Sequence, residues 1–196
     1  HVLFSEYKLN FPKIDKVRGY SIPKEAKISD INKAANLIMK AKRPIVFGGG
    51  GIVISGATEE LQNFANRLKI PVTLTLMGLG GYPPDDPMRV SWIGMHGSYF
   101  ANKAVHDSDL VISIGARFDD RVTGRLDAFS PNSKKIHVDI DPSSIGKNIK
   151  VDLAIVSDVT ELLKSLIKRF KEKNKNFANS NKQNTSKWWE QIEKWR

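Results

Sequence analysis

Cysteine is absent from this 196-residue chain. That excludes a disulfide framework, a thiolate zinc site and a thiol nucleophile. Histidine is scarce: His1, His96, His106 and His137 make neither an HxH nor an HxxxH spacing, so no histidine metal site is expected. No run of eighteen apolar residues occurs, and no segment reads as a membrane span. A Walker sequence and a Ser–His–Asp set are also missing. The chain opens His1-Val2-Leu3-Phe4, with no initiator Met, basic leader or small-residue cleavage site. That start predicts a piece of a longer or processed protein.

What is present is ordinary globular composition, 40% apolar and 27% charged, enough for one large domain with a real core. Charge is the exception, with 31 Lys and Arg against 21 Asp and Glu. Such an excess invites a nucleic-acid reading, which requires the cations to share a folded face. They do not: residues 168–196 hold nine basic and three acidic side chains, whereas residues 31–167 hold sixteen and fourteen. The excess belongs mostly to the terminal segments, and neither a nucleic-acid nor a membrane partner is expected.

The apolar pattern predicts an α/β fold with a doubly wound, mainly parallel sheet and helices on both faces. Residues 1–28 read as an incoming extended arm. Ser29 is the expected cap of a helix carrying Ile31, Ala34, Ala35 and Ile38 on one face. Short apolar strands follow at 45–47, 71–76, 110–114, 135–141 and 153–156, separated by helical patterns around 61–68 and 100–105. Val159, Leu162, Leu163, Leu166, Ile167 and Phe170 form the cleanest amphipathic helix and close a domain over 29–170. Residues 171–187 hold five Asn and almost nothing apolar, so they read as a solvated linker. Trp188, Ile192 and Trp195 then start a helical face expected to lack a partner in this chain.

In such sheets ligands bind beyond the carboxyl ends of the strands. Four loops there are unusual. Gly48–Gly51 either admits backbone N–H groups to an anion at the following helix or is simply a tight turn. The dinucleotide fingerprint fails, because its third Gly falls on Val53 or Ile54 and no acid follows Thr75-Leu76. Ile93-Gly94-Met95-His96-Gly97 reads as a capped helix entry with a solvent-facing His. Gly115–Gly124 places Asp119 and Asp120 between Arg117 and Arg121, giving either polar contacts to a phosphate-bearing ligand or a structural ion network. Asp139-Ile140-Asp141-Pro142-Ser143 offers an acid to ribose hydroxyls or a surface cap, and Lys147-Asn148 adds to it. Asp85-Asp86, between prolines, reads as a solvated turn.

The segments GGGGIVISGA, IPVTLTLMGLGGYPPDDP, IGMHG, GARFDDRVTGRLDAF and HVDIDPSSIGKN have the order and spacing of the central domain of acetolactate synthase catalytic subunits. The resemblance covers roughly residues 20–170, and WWEQIEKW is similar to the entry into that enzyme's third domain. GMHG with RFDDRVTG is the specific pair; pyruvate oxidase and pyruvate decarboxylase share the fold but not this wording. The resemblance implies a Rossmann-like, FAD-binding central domain of a thiamin-diphosphate enzyme. Its activity is condensation of two pyruvates, or pyruvate with 2-oxobutyrate, to an acetohydroxy acid with loss of CO2, in branched-chain amino-acid synthesis.

By match of motif the FAD contacts would be Gly49, Thr75, Leu76, Ile93, Gly94, Met95, His96, Gly115, Ala116, Arg117, Phe118 and Asp119. Asp120, Arg121, Val138, Asp139, Ile140, Asp141, Pro142, Ser143, Asp158 and Val159 extend the set. Asp120 and Arg121 also resemble positions at the mouth of the substrate channel. FAD is largely structural in that family. Thiamin diphosphate and Mg²⁺ are held by a GDG motif in that enzyme's third domain, and the catalytic Glu lies in its first; this chain has no GDG and is expected to be inactive alone. Implied partners are the flanking domains, further catalytic subunits in a homo-oligomer, a regulatory small subunit and 2-oxo acids. The implied location is the bacterial cytoplasm or the plastid stroma. The competing readings are an NAD-type deacylase or transferase and a basic nucleic-acid-binding protein.

Overall fold

The computed structural model describes residues 25–173 and 177–196, with Glu6 and Lys8. Most of the expected incoming arm, and residues 174–176 of the expected linker, lie outside the described residues. Helix α1 (Ile28–Lys40) leads into six strands: β1 (Pro44–Gly48), β2 (Val72–Leu74), β3 (Arg89–Trp92), β4 (Leu110–Ile114), β5 (Lys134–Asp139) and β6 (Leu153–Val156). Between them lie α2 (Gly50–Ser55), α3 (Thr58–Leu68), α4 (Tyr99–Asp107) and α5 (Asp120–Thr123), and α6 (Val159–Lys173) and α7 (Phe177–Trp195) end the chain. Every strand pair is parallel, in the order β3-β2-β1-β4-β5-β6. The chain grows outward from β1 to β3, then crosses back to place β4 beside β1, so the sheet has its switch point between β1 and β4.

Strand alternation divides the core in two. Val46, Ile112, Ile136 and Ile155 face a cluster with Ile38 of α1, Phe64 of α3 and Leu162 of α6. Ile45, Phe47 and Val111 point the other way, toward Ala101 and Val105 of α4 and Trp188 and Ile192 of α7. Both faces are covered, so the strands carry apolar residues on both sides, as the continuous runs predict.

Four differences from the sequence expectation have physical causes. The helix at 28–40 starts two residues earlier than expected and is not capped by Ser29; Lys27 holds the cap position without a side-chain bond, and the Ser29 hydroxyl lies 3.4 Å from Asp30. A sixth strand, β3, was not foreseen: Val90 is its one fully buried residue, and Ser91 has a φ of 46° that breaks the alternation. The segment from Phe177 to Trp195 is a single helix, where a linker was expected as far as 187. Nor do its tryptophans lack a partner. Trp188 and Ile192 are buried in this chain's own second cluster, and Trp188 and Trp189 donate to the carbonyls of Pro44 and Lys69, at 3.1 and 2.9 Å. Arg196 adds a 3.2 Å bond to the Arg89 carbonyl, so α7 ties the starts of β1, β2 and β3 together.

The fourth difference is Asp86, which is no solvated turn. Its carboxylate accepts from Gln62 and Asn66 of α3 at 2.8 Å each, and from the Tyr82 hydroxyl and the Met88 amide at 2.9 Å each. Burial alone would raise its pKa, but the four donors outweigh that and hold it below the usual carboxylate value. They also leave Tyr82 fully buried with its pKa raised by burial and by Asp86. A depressed carboxylate contributes stability above its unfolded pKa, near 3.9, that disappears as pH falls through the lower folded value. Asp86→Ala is expected to cost about 2–3 kcal/mol near neutrality, the worth of hydrogen bonds to a charged group. Urea unfolding across pH checks it: the gap between variant and parent should narrow below about pH 4.

The end of α4 and the beginning of β5 are joined by a second polar knot. The Ser130 hydroxyl bonds the Val105 carbonyl at 2.6 Å and Ser133 at 2.7 Å, and the Lys135 amine donates to the carbonyls of Ser130 and Ser133 at 2.9 and 3.1 Å. Burial pushes the Lys135 pKa down, with Asp152 opposing.

Candidate cofactor-binding site

At the carboxyl end of the sheet the turns after β1, β2 and β4 meet backbone to backbone. The Gly49 amide donates to the Ile114 carbonyl and the Gly51 amide to the Gly115 carbonyl, each at 3.0 Å. The Thr75 amide reaches the Gly48 carbonyl at 2.8 Å, and the Thr75 hydroxyl caps the 3₁₀ turn at Leu76–Gly78 by accepting from Gly78 at 3.0 Å. A side chain on Gly49 would strike the Gly115 carbonyl and stand 2.5 Å from the Ala116 Cα. Gly115 itself is left-handed, with φ of 57°. The glycines are therefore consumed in packing one turn on another. The tight turn is formed, with the amides at 49 and 51 bonded to protein, and Gly50 and Gly51 still face the cavity above it.

Above these turns lies a cavity of about 620 Å³. Thr75 and Leu76 line it from the end of β2, and Gly115, Ala116, Arg117, Asp119 and Arg121 from the segment after β4. Asp139 and Ile140 line it from the end of β5, and Asp158 and Val159 from the start of α6. A neighbouring cleft of about 370 Å³ shares Arg117 and Asp119 and adds Phe118, Asp141 and Ser143, with Lys147 and Asn148 beside them.

The remaining expected contacts lie elsewhere. Gly49 sits beneath the cavity floor and Val138 is buried within β5. Ile93 is buried against a separate groove under α4. Gly94, Met95, His96, Asp120 and Pro142 do not line the cavity. Met95 nonetheless joins the two signature loops, since its amide donates to the Arg121 carbonyl at 3.0 Å. The Asn102 side chain braces Gly94 through both its amide and its carbonyl, at 3.1 and 3.0 Å, while Ser98 caps α4 and His96 stays exposed. The capped helix entry with a solvent-facing His is thus what the 93–97 loop forms.

Sequence reasoning missed Ile54 and Ser55 of α2, with Met77 and Ser144, and gave Gly50, Gly51 and Val122 only as members of the Gly48–Gly51 and Gly115–Gly124 loops. The signal was available in α2: residues 50, 51, 54 and 55 share one helical face at spacings of three and four. Ile54 and Met77 are among the most exposed large apolar side chains, 89% and 77% accessible, and form a greasy lip on the cavity.

The charged segment after β4 is not a tight ion network. Arg117–Asp119 and Arg121–Asp120 contacts are 3.9 Å long between exposed groups, which contribute little to stability. The guanidiniums remain available for a ligand. On the opposite wall Asp141 accepts from the Ser143 hydroxyl and amide at 2.8 and 2.9 Å, and these bonds hold its carboxyl below the usual range. Among the described residues no group of three His, Asp or Glu is arranged to hold a metal ion. No described helix is long and apolar enough to cross a membrane.

The comparison with known proteins fits this arrangement. The family described as "Thiamine pyrophosphate enzyme, central domain" matches residues 31–166. The acetolactate synthase large subunit of Buchnera aphidicola subsp. Schizaphis graminum is 40% identical over 98% of this chain and 33% of its own length. The probable acetolactate synthase large subunit of Methanocaldococcus jannaschii is 50% identical over 70% of this chain and 23% of its own. Acetolactate synthase isozyme 3 large subunit of Escherichia coli K12 is 34% identical over 95% and 32%. The chain thus spans at most about a third of these curated relatives. With its six parallel strands and a matched region running from α1 to α6, the chain belongs to the central-domain family of thiamine pyrophosphate enzymes.

Proposed function

We propose that this chain is the FAD-binding central domain of an acetolactate synthase large subunit. The observation that carries the reading is the cavity at the switch point, where cations, carboxylates and apolar rim occur together. Arg117 and Arg121 offer donors to a diphosphate, and Asp139 and Asp158 offer acceptors to ribose hydroxyls. Ile54, Leu76, Met77, Ile140 and Val159 offer apolar surface to rings. That donor set fits FAD. A bound flavin would supply redox-capable chemistry; this chain's residues bind it, orient it and keep water from its rings.

The parent protein, on this reading, condenses two pyruvates, or pyruvate with 2-oxobutyrate, with thiamin diphosphate and Mg²⁺ held by its other domains. The names of the relatives support a large subunit working with a small one, as do the shared motifs. The cytoplasm of a bacterium or the plastid stroma is the location that agrees with this reading. Acetolactate formation by residues 1–196 alone is not expected.

Flavin titration tests the binding. FAD fluorescence should change saturably on adding the protein, and Arg121→Ala and Asp139→Ala should each weaken binding by about tenfold, near 1.4 kcal/mol for one charge-assisted contact. NAD, measured in parallel, should show no saturation. Saturable NAD binding with no response to FAD overturns the reading.

A further inference from the structure

His137 is fully buried in the middle of β5, and neither the fold nor the cavity lining accounts for an imidazole there. Across the sheet its register partners are Ser113 on β4 and Ala154 on β6, neither of which titrates. Its Nδ1 accepts from the Gly146 amide at 3.4 Å. Its Nε2 is buried without a hydrogen-bond partner, and the nearby Ala116 carbonyl already accepts from the Ser113 hydroxyl at 2.9 Å. The Phe118 ring stands edge-on to it, with centroids 5.0 Å apart. Ala116 and Phe118 belong to the turn after β4, while Gly146 belongs to the segment after β5. A second link joins the same two segments: the Asn148 amide donates to the Phe118 carbonyl at 2.6 Å.

We infer that His137 is a positioning residue whose neutral ring ties the 115–119 turn to the 140–148 segment, so that its link between the two walls, beside that made by Asn148, holds only while the ring is unprotonated. The chemistry of the two nitrogens carries this. Nδ1 must keep its lone pair to accept from Gly146, so the ring proton resides on Nε2. Protonation would put a second N–H against the Gly146 N–H, replacing an acceptor by a donor. Burial disfavours the cation further, while Asp139, two residues along the strand, and the Ala116 carbonyl oppose that tendency. The other charged groups on the two linked segments are Asp119, next to Phe118, and Asp141 and Lys147 around Gly146. The consequence for ligand retention rests on the cofactor reading above; the coupling of the segments does not.

The test therefore has a ligand-free arm and a flavin arm. Amide hydrogen exchange of residues 144–148, corrected for intrinsic rates, is measured between pH 7.5 and pH 4.5 in the protein and in His137→Gln. Protection of Gly146 in the parent should fall by about tenfold once the ring is protonated, and the fall should set in below the usual imidazole range because burial holds the ring's pKa down. The glutamine variant can still accept from Gly146 but cannot be protonated, so its protection should stay level with pH. Parent protection that does not change while the fold persists overturns the inference, as does an unchanged acid loss in the variant. His137→Phe, which keeps the ring contact with Phe118 but loses the acceptor, should lack protection at every pH.

In the second arm FAD affinity should drop by about tenfold over the same pH range in the parent and not in His137→Gln. If exchange behaves as described but FAD never saturates, the flavin reading fails and the coupling of the segments stands. If FAD binds with the same pH dependence in both proteins, His137 is not the positioning group.

Discussion

Replacing Trp188 by alanine will lower the stability of the chain by about 3–5 kcal/mol, the range for emptying a buried aromatic site. Trp188 is only 2% exposed and packs in the cluster with Phe47, Val90 and Ala104. It stands edge-on to Trp195 at 5.7 Å between centroids, and its indole N–H satisfies the Pro44 carbonyl at the start of β1. Truncation removes the ring, the edge-on pair and the bond together, and leaves that carbonyl without its donor. Trp189→Phe provides the contrast: it keeps most of the packing and loses only the bond to the Lys69 carbonyl, which should cost about 1 kcal/mol. Guanidinium unfolding of the two variants measures both values. Were α7 merely the start of something packed elsewhere, neither change would shift the midpoint.

Gly49→Ala should be nearly as damaging, about 3 kcal/mol, for a different reason. The φ of Gly49 is −114°, so alanine suffers no conformational penalty there. The obstacle is that its methyl group would meet backbone atoms of Gly115 and Ala116, which cannot rotate away as a side chain can. Relief requires separating the β1 turn from the β4 turn, which breaks the Gly49 and Gly51 amide bonds and deforms the cavity floor. Gly50→Ala is the control one residue on. Its nearest neighbour, the Met77 carbonyl, would be 3.3 Å away, so a small shift accommodates it. Thermal unfolding distinguishes the pair, since Gly49→Ala should lose stability while Gly50→Ala keeps most of it.

Four strands were legible because burial on both faces makes each a nearly continuous apolar run, as in Leu110-Val111-Ile112-Ser113-Ile114; the edge strand β6, with Ala154 exposed, was legible because its four residues are all apolar. β3 was not, because only Val90 of Arg89-Val90-Ser91-Trp92 is buried and the polar Arg89 and Ser91 break any apolar run. α7 was obscured by its composition: a helix that contributes Thr185, Trp188 and Ile192 to the interior can be polar at nearly every other position. Asp86 was misread because its four donors come from α3, from Tyr82 and from Met88, a convergence no local pattern displays. The loops around the cavity were identified by their unusual residues. What sequence could not supply was the division of labour within them, glycines spent on turn packing and guanidiniums left facing outward.

That division matters for anyone wishing to redirect the cavity toward another ligand. Gly49, Gly51, Gly78 and Gly115 accept no side chain without displacing backbone, so a random library would waste its members there. Ile54, Leu76, Met77 and Ile140 form the opposite case: their side chains reach solvent, so their size and polarity can vary without touching the core. A mutational search confined to those four positions would keep nearly all of its variants folded, and the floor would hold its shape while the rim explored new selectivity.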